Sequence, residues 1–453
     1  MNRNSHLKEI YLIAIPIIVQ GMVLQIQTLI NRAFLGNIKT EYLSAIGNTI
    51  FPLNATMSIV SAISTGLTIL VSRSYGAGDR EKAREYTESS IAYSSGISFL
   101  LFIVWFFFSE IIFGFMGVDR QLIPYCAGYV KIIAVSVILF GIDTTLQGSL
   151  QGIGRTNPIM FIGLMKVVLN VFLDWVLIFG RFGLPVLGMN GAGLSTAISN
   201  IVSITVLSVY VLKSNSLPFK IKIKGIMRAS WLRYKEIANL GLPAGFEIFA
   251  FYIGTLVMLR FMNSLETISA GIYTLTSGIE VFVFFIYNGF ARAAITLIGQ
   301  STGRGEKKEA RNILTSCVRI ELIIVAVICA IFILFRHGVV GIFSTDPVVI
   351  QKAQFLFIIT SLAMFPKSMN VVVGSAIRAI GDTKWMLKTQ IFGTAFVIFS
   401  SYMCIFVFKL GILGVYLTGM MDEGLRSIIN TVRFYYSQRD TKVCARGKAG
   451  LDT

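Results

Sequence analysis

Charge is what this chain is short of. Asp, Glu, Lys and Arg make up 14% of its 453 residues, against about 25% in soluble domains, so water is not its main solvent. Histidine is scarcer still. His6 stands near the start and His337 in what reads as an outer loop, so a His-based metal centre or proton relay has little to work with. A membrane-embedded enzyme would need such ligands, or paired carboxylates on one face, and is the weakest reading. Five cysteines, Cys126, Cys317, Cys329, Cys404 and Cys444, are scattered without a Cys-x-x-Cys pair, which argues against a zinc site or a disulfide framework. The Gly-x-Gly stretches at 76–78 and 303–305 follow no strand and lack a phosphate-binding Lys. They read as tight turns in which Gly supplies positive φ.

Apolar residues are what is plentiful. They account for 55% of the chain, and mean hydropathy is +0.73. Runs of the roughly 20 residues needed to cross a bilayer recur at 10–31, 43–70, 91–117, 123–150, 159–180, 190–212, 237–262, 268–298, 312–335, 348–377, 387–408 and 411–436. No small-residue cleavage site closes the first, so it is expected to be retained. The expectation is an all-α membrane protein of twelve transmembrane helices.

The chain also repeats itself. SYGAGDREKAR at 74–84 returns as STGRGEKKEAR at 301–311, a shift of 227. The same shift carries Pro16 onto Pro243, Gly154 onto Gly381 and Thr156 onto Thr383. Two six-helix lobes follow, 1–212 and 237–438, joined by an amphipathic cytoplasmic linker at 213–236 and ended by a basic tail at 439–453. Six is even, so the copies should enter the membrane the same way round, as parallel repeats about a pseudo-twofold axis, with function sought between them. Lys and Arg crowd alternate loops, roughly 27 on one side and 8 on the other. The positive-inside rule makes that side, and both termini, cytoplasmic. The net charge of +17 suits anionic lipid headgroups; nucleic acid is excluded as a partner because no soluble domain exists to bind it. In the linker, Trp231 and Tyr234 read as headgroup-level aromatics.

Taken in order, Asn31 to Gly36, LSAIGN at 43–48, GAGDREKAR, GSLQGIGRTNP at 148–158, NVFLDWVLIFG at 170–180 and GMNGAGLSTAIS at 188–199 form a pattern. It resembles the multidrug and toxic compound extrusion (MATE) family over nearly the whole chain. The resemblance implies a two-lobed, monomeric antiporter of the cell membrane that exports organic, often cationic, small molecules against inward Na⁺ or H⁺. No cofactor is implied beyond that coupling ion. A lipid-linked sugar flippase of the same superfamily is the alternative, although flippases often carry more than twelve helices.

Ionisable groups inside spans are functional candidates because mid-bilayer charge costs roughly 2.5–3.5 kcal/mol. Asp174 lies deep in the fifth span, four residues after Asn170, so both face one way on a helix. The resemblance implies that Asn170 and Asp174, with Thr196 on the next span, bind the coupling cation through hard oxygens; the bland alternative puts Asp174 at the span's outer end, in water. Asn31 departs from the family, which commonly has Asp there. An amide offers oxygen but no titratable proton, unless Asn31 merely caps its helix. In the second copy, Glu247 and Glu280 are the candidates, with Lys367 or Arg292 as partner for Glu280. Asp143, with Gln147 one turn on, and Lys367, where some branches carry an acid, are secondary candidates. Asp422, Glu423 and Arg426 read as self-satisfied within one helix. Pro16 and Pro243 are expected to assist helix bending.

Overall fold

The computed structural model describes residues 3–214, 218–265, 267–341 and 347–438, so the expected basic tail and Cys444 lie outside the described residues. In order come α1 (Arg3–Gly36), α2 (Thr40–Gly76), α3 (Arg80–Phe115), α4 (Ile123–Val137), α5 (Phe140–Gly152), α6 (Asn157–Phe179), α7 (Gly188–Lys213), a short α8 (Ile223–Met227) and α9 (Trp231–Asn263). Then follow α10 (Thr267–Gly303), α11 (Lys307–Leu334), a short α12 (Arg336–Gly341), α13 (Pro347–Ala379), α14 (Thr383–Tyr402), a π-turn (Met403–Val407) and α15 (Ile412–Ser437). No strand occurs among the described residues. Among the described residues ten helices are long and apolar enough to cross a membrane, or eleven if α4 and α5, bent by 52° to each other, are one span. α15 occupies the place of the expected twelfth span, with Asp422, Glu423 and Arg426 among its residues.

Contacts divide the chain into two units, one of residues 15–75 and 79–245, the other of residues 1–14, 76–78 and 246–453. Within each unit the helices are inside-out relative to a soluble bundle. Large apolar side chains such as Phe107 (64% exposed) and Val432 (63% exposed) point outward, where lipid rather than water would meet them. Many hydroxyls are turned inward and bond to their own helix. Thr49 donates to the Ala45 carbonyl at 2.7 Å and Ser361 to Phe357 at 2.7 Å, the back-bonding that lets Ser and Thr sit inside apolar helices.

The duplication reappears as geometry. Gly78 and Gly305 have φ of 78° and 77°, and Gly154 and Gly381 have 82° and 83°. After each of the second pair the next amide closes back on its helix, Arg155 to Leu150 at 2.8 Å and Asp382 to Ile377 at 3.1 Å. These are Schellman endings, which need a residue free to adopt positive φ.

Three local readings change. The seventh span begins at Trp231, inside the stretch read as linker. Tyr234 is buried rather than interfacial, stacked on Tyr93 at 4.9 Å between ring centroids. The linker is strapped to α3, where the Glu88 carboxylate accepts from the Lys222 amide at 2.8 Å and Ser89 Oγ from the Ser230 amide at 3.2 Å. His337 lies in α12, not in a loop. Finally, α1 and α9 run as unbroken helices through Pro16 and Pro243, while the sharp break falls at Ile138–Leu139, with no proline. There Gly141 brings α5 against the α3 backbone, where an added Cβ would sit 2.7 Å from Ser95 N.

Gly381→Ala should therefore cost about 1–2 kcal/mol, read as a lower unfolding midpoint in detergent, with Gly154→Ala behaving alike. Gly96→Ala, in the α3 interior with nothing within 4 Å of its Cβ position, should hold or raise the midpoint.

Candidate functional site

In the unit built on residues 15–75 and 79–245, α1, α6 and α7 converge on one carboxylate. Asp174 and Asn170 are both fully buried, one helical turn apart on α6, so Asp174 does not meet outer water. Gly191 lets α7 approach closely, since an added Cβ would sit 2.7 Å from the Leu177 carbonyl of α6. One turn further along α7, the Ser195 hydroxyl donates to Asp174 Oδ1. An ionised carboxylate can only accept, so the amides must turn their N–H ends to it. So oriented, Asn170 donates to Asp174 Oδ2 at 3.0 Å, and Asn31 from α1 donates to the same oxygen.

The structure thus brings together all four predicted residues: Thr196 Oγ1 lies 3.4 Å from the Asn170 amide. It adds two that sequence reasoning missed. Gln27, one turn before Asn31, meets the Asn170 amide, and Ser195 adjoins Thr196. The signal was there for Gln27, a buried amide at i−4 from Asn31 on an apolar helix, and weaker for Ser195 among many spanning serines. One negative charge surrounded by amide and hydroxyl oxygens suits a monovalent cation; a divalent ion would be half neutralised. Asp143 lies apart from this cluster, accepting from Gln147 Nε2 at 2.9 Å.

The other unit carries a different constellation. Glu280 on α10 pairs with Lys367 on α13 at 2.6 Å, as one of the two expected partners. Both line a cavity of about 200 Å³. Glu247 does not line it, and is held instead by Arg378, Nη2 to Oε1 at 2.5 Å and Nε to Oε2 at 3.2 Å. Arg378 is a partner no sequence spacing indicated. Asp422, Glu423 and Arg426 pair within α15 as expected, at 2.6 and 3.0 Å, but their contacts are not confined to that helix. They line the same cavity, and the network runs on across helices, Arg426 to Gln390 at 2.6 Å, Asn370 to Glu423 at 2.8 Å and Asn430 to Asn370 at 2.9 Å.

The repeat shows how the two sites relate. The shift of 227 carries Gln27, Asn31, Asn170 and Asp174 onto Gly254, Met258, Val397 and Ser401. In the last helix of each copy the register is 223, placing Ser195 opposite Thr418. There Ser401 and Thr418 share a 2.7 Å hydrogen bond, the neutral counterpart of the Ser195–Asp174 contact. Gly254, Met258 and Val397 line the cavity. Where the first copy gathers a carboxylate with amides and hydroxyls, the second has small or apolar side chains and open space.

Apolar spans that bury polar clusters mark a multi-pass membrane protein, and its relatives make it a transporter rather than an enzyme. The MatE family model matches residues 16–176 and 243–403, two stretches again 227 apart, and the chain belongs to that family. It is 25% identical over 431 residues to a probable multidrug resistance protein NorM of Thermotoga maritima, covering 94% of this chain and 92% of that one. The multidrug resistance protein PmpM of Pseudomonas aeruginosa is 25% identical over 401 residues, 86% and 81% of the two chains. A solved structure described as the outward-facing conformation of a multidrug resistance MATE family transporter of the MOP superfamily superposes with a TM-score of 0.89, at 18% identity over 95% of each chain.

Removing one member of a buried ion pair strands the other. Arg378→Gln should destabilise the protein by about 3–5 kcal/mol, while the double variant Arg378→Gln with Glu247→Gln should recover most of the loss. Thermal unfolding of the four proteins in detergent measures the coupling; additive losses would show that the pair does not act as a unit.

Proposed function

We propose that this transporter is a cation-coupled antiporter exporting organic compounds, cationic or lipophilic, by alternating access, with Na⁺ as the preferred coupling ion. The observation that carries the reading is the lone Asp174 carboxylate ringed by Gln27, Asn31, Asn170, Ser195 and Thr196. The names of the relatives, multidrug resistance proteins, support the substrate class. A proton-only site needs no set of neutral oxygens, and the amide at Asn31 removes the second titratable group that would favour it.

Coupling follows from amide chemistry. Without a cation, Asn31 and Asn170 turn N–H groups to Asp174; a bound cation calls for their carbonyl ends and for the Ser195 and Thr196 hydroxyl oxygens. Loading the site therefore reverses the hydrogen bonds linking α1, α6 and α7, so each occupancy state favours its own helix arrangement. Pro16, about three turns before Gln27, weakens the α1 ladder and lets that movement spread as a bend; Pro243 would do the same in α9. Glu280 with Lys367 answers the substrate's charge in the second unit, Glu247 being committed to Arg378. The protein would work as a monomer with both termini cytoplasmic, needing no cofactor beyond the transported ion.

Efflux of a fluorescent cation should rise with Na⁺ at fixed pH. Asp174→Asn should lose that response, with Na⁺ affinity falling tenfold or more (at least about 1.4 kcal/mol). Asn31→Asp should add a pH-dependent component by restoring a second acid. An unchanged Na⁺ response in Asp174→Asn would sink the reading.

A further inference from the structure

Four acids within the spans of the second unit have a cation close by: Glu247, Glu280, Asp422 and Glu423, at 2.5, 2.6, 2.6 and 3.0 Å. Glu321 does not. It lies mid-way along α11, fully buried, and neither carboxylate oxygen meets a hydrogen-bond partner among the described residues. The groups in electrostatic reach are Tyr287 on α10 and Cys317 one turn earlier on its own helix. Of the cations on the other packed elements, Lys367 and Arg378 on α13 are held by Glu280 and Glu247. Arg336 on α12 donates to the Ile333 carbonyl at 2.9 Å, and His337 lies beyond the end of α11. Ionised Glu321 would be an uncompensated buried charge, costing several kcal/mol, whereas its neutral form carries one proton it can donate.

Tyr287 supplies the connection. Its hydroxyl is also fully buried and unpartnered, and it stands within electrostatic reach of Glu321, Glu280 and Glu423 together. Glu280 and Tyr287 are seven residues apart on α10, two turns along one face, so one helix carries both the hydroxyl and a cavity acid.

We propose that Glu321 is a proton-binding residue of the second unit, exchanging its proton with the cavity acids through the Tyr287 hydroxyl. The exchange requires a side-chain movement that brings the Tyr287 hydroxyl into hydrogen-bond contact with Glu321 and with Glu280 or Glu423. The Glu321 O–H bond then breaks, its proton goes to Tyr287 Oη, and Tyr287 passes its own phenolic proton to the receiving acid. Glu321 becomes a carboxylate, the receiving acid becomes neutral, and Tyr287 ends as it began. A proton arriving on Glu280 discharges its pair with Lys367 and so alters the charge the cavity presents. The inference goes beyond the Na⁺ reading and does not depend on Asp174.

Infrared difference spectra of the purified full chain between low and high pH test it, in wild type, Glu321→Gln, Tyr287→Phe and Asp174→Asn. A carboxylic-acid carbonyl band should change with pH in wild type, vanish in Glu321→Gln and persist in Asp174→Asn. Glu321→Asp, which keeps the acid on a shorter arm, should retain the band at a shifted position, and it serves as the reporter if Glu321→Gln fails to fold. Proton release after a pH jump, followed with an indicator dye, should slow at least tenfold in Tyr287→Phe. Identical difference bands in wild type and Glu321→Gln, or an unshifted band in Glu321→Asp, would mean that Glu321 never exchanges and overturn the proposal; full-speed release in Tyr287→Phe would overturn the route. Loss of Na⁺ dependence in Asp174→Asn alongside an intact Glu321 band would separate the two sites.

Discussion

Lipid offers a polar group nothing to bond to, and most of this architecture answers that constraint. Most carboxylates, amides and hydroxyls carried into a span find a partner inside the protein, and Glu321 and Tyr287 stand out as exceptions. Asp174 is met by Asn31, Asn170 and Ser195, and Glu247 by the fork of Arg378. Serines and threonines bond back to their own helices. The constraint also explains why the exterior is rich in Phe, Ile and Val, and why so much polar chemistry is concealed. A group retained there despite the cost is a candidate for function.

The two copies meet that constraint with the same backbone and opposite chemistry. Their glycine turns agree to within a degree or so of φ, and the Asp174–Ser195 contact has its echo in Ser401–Thr418. Between those fixed points the side chains have diverged. The first copy concentrates one negative charge among neutral oxygens. The second has Gly254, Met258 and Val397 at those positions, and spreads its acids over α9, α10, α11 and α15, with Glu247, Glu280, Asp422 and Glu423 paired with Arg or Lys and Glu321 not. A compact oxygen cage suits a small ion. An open cavity with ion pairs in its wall suits something larger, because its pairs can be exchanged for contacts to a guest. Duplication followed by such divergence gives one chain two different binding environments without a new fold.

Much of this was legible in the residues. Twelve apolar runs, a constant shift of 227 and paired glycines carry the architecture, because hydropathy, chain length and positive φ are local properties. Asn170 and Asp174 could be set on one face by helical periodicity alone. The 52° break of the fourth span could not, for Ile138–Leu139 carries no proline or glycine, and the bend arises where Gly141 meets α3. Nor could the α15 cluster be weighed correctly. Its i,i+3 and i,i+4 spacing suggested a closed account, while Gln390 and Asn370, far away in sequence, draw it into a cavity network.

The sequence by itself determined the solvent, the helices, the repeat and which polar groups had to be explained. Each of these depends on residues close together along the chain, or on self-similarity that needs no structure to see. Partner choice was decided only in three dimensions. Arg378 rather than a helical neighbour holds Glu247, Gln27 and Ser195 complete the ring about Asp174, and Glu321 is left without a hydrogen-bond partner among the described residues. These outcomes depend on how closely helices approach at positions such as Gly191 and on their rotation about their own axes. In a uniformly apolar span neither is written in local pattern, because the code that marks a helix as membrane-spanning erases the contrast that would show which face turns inward.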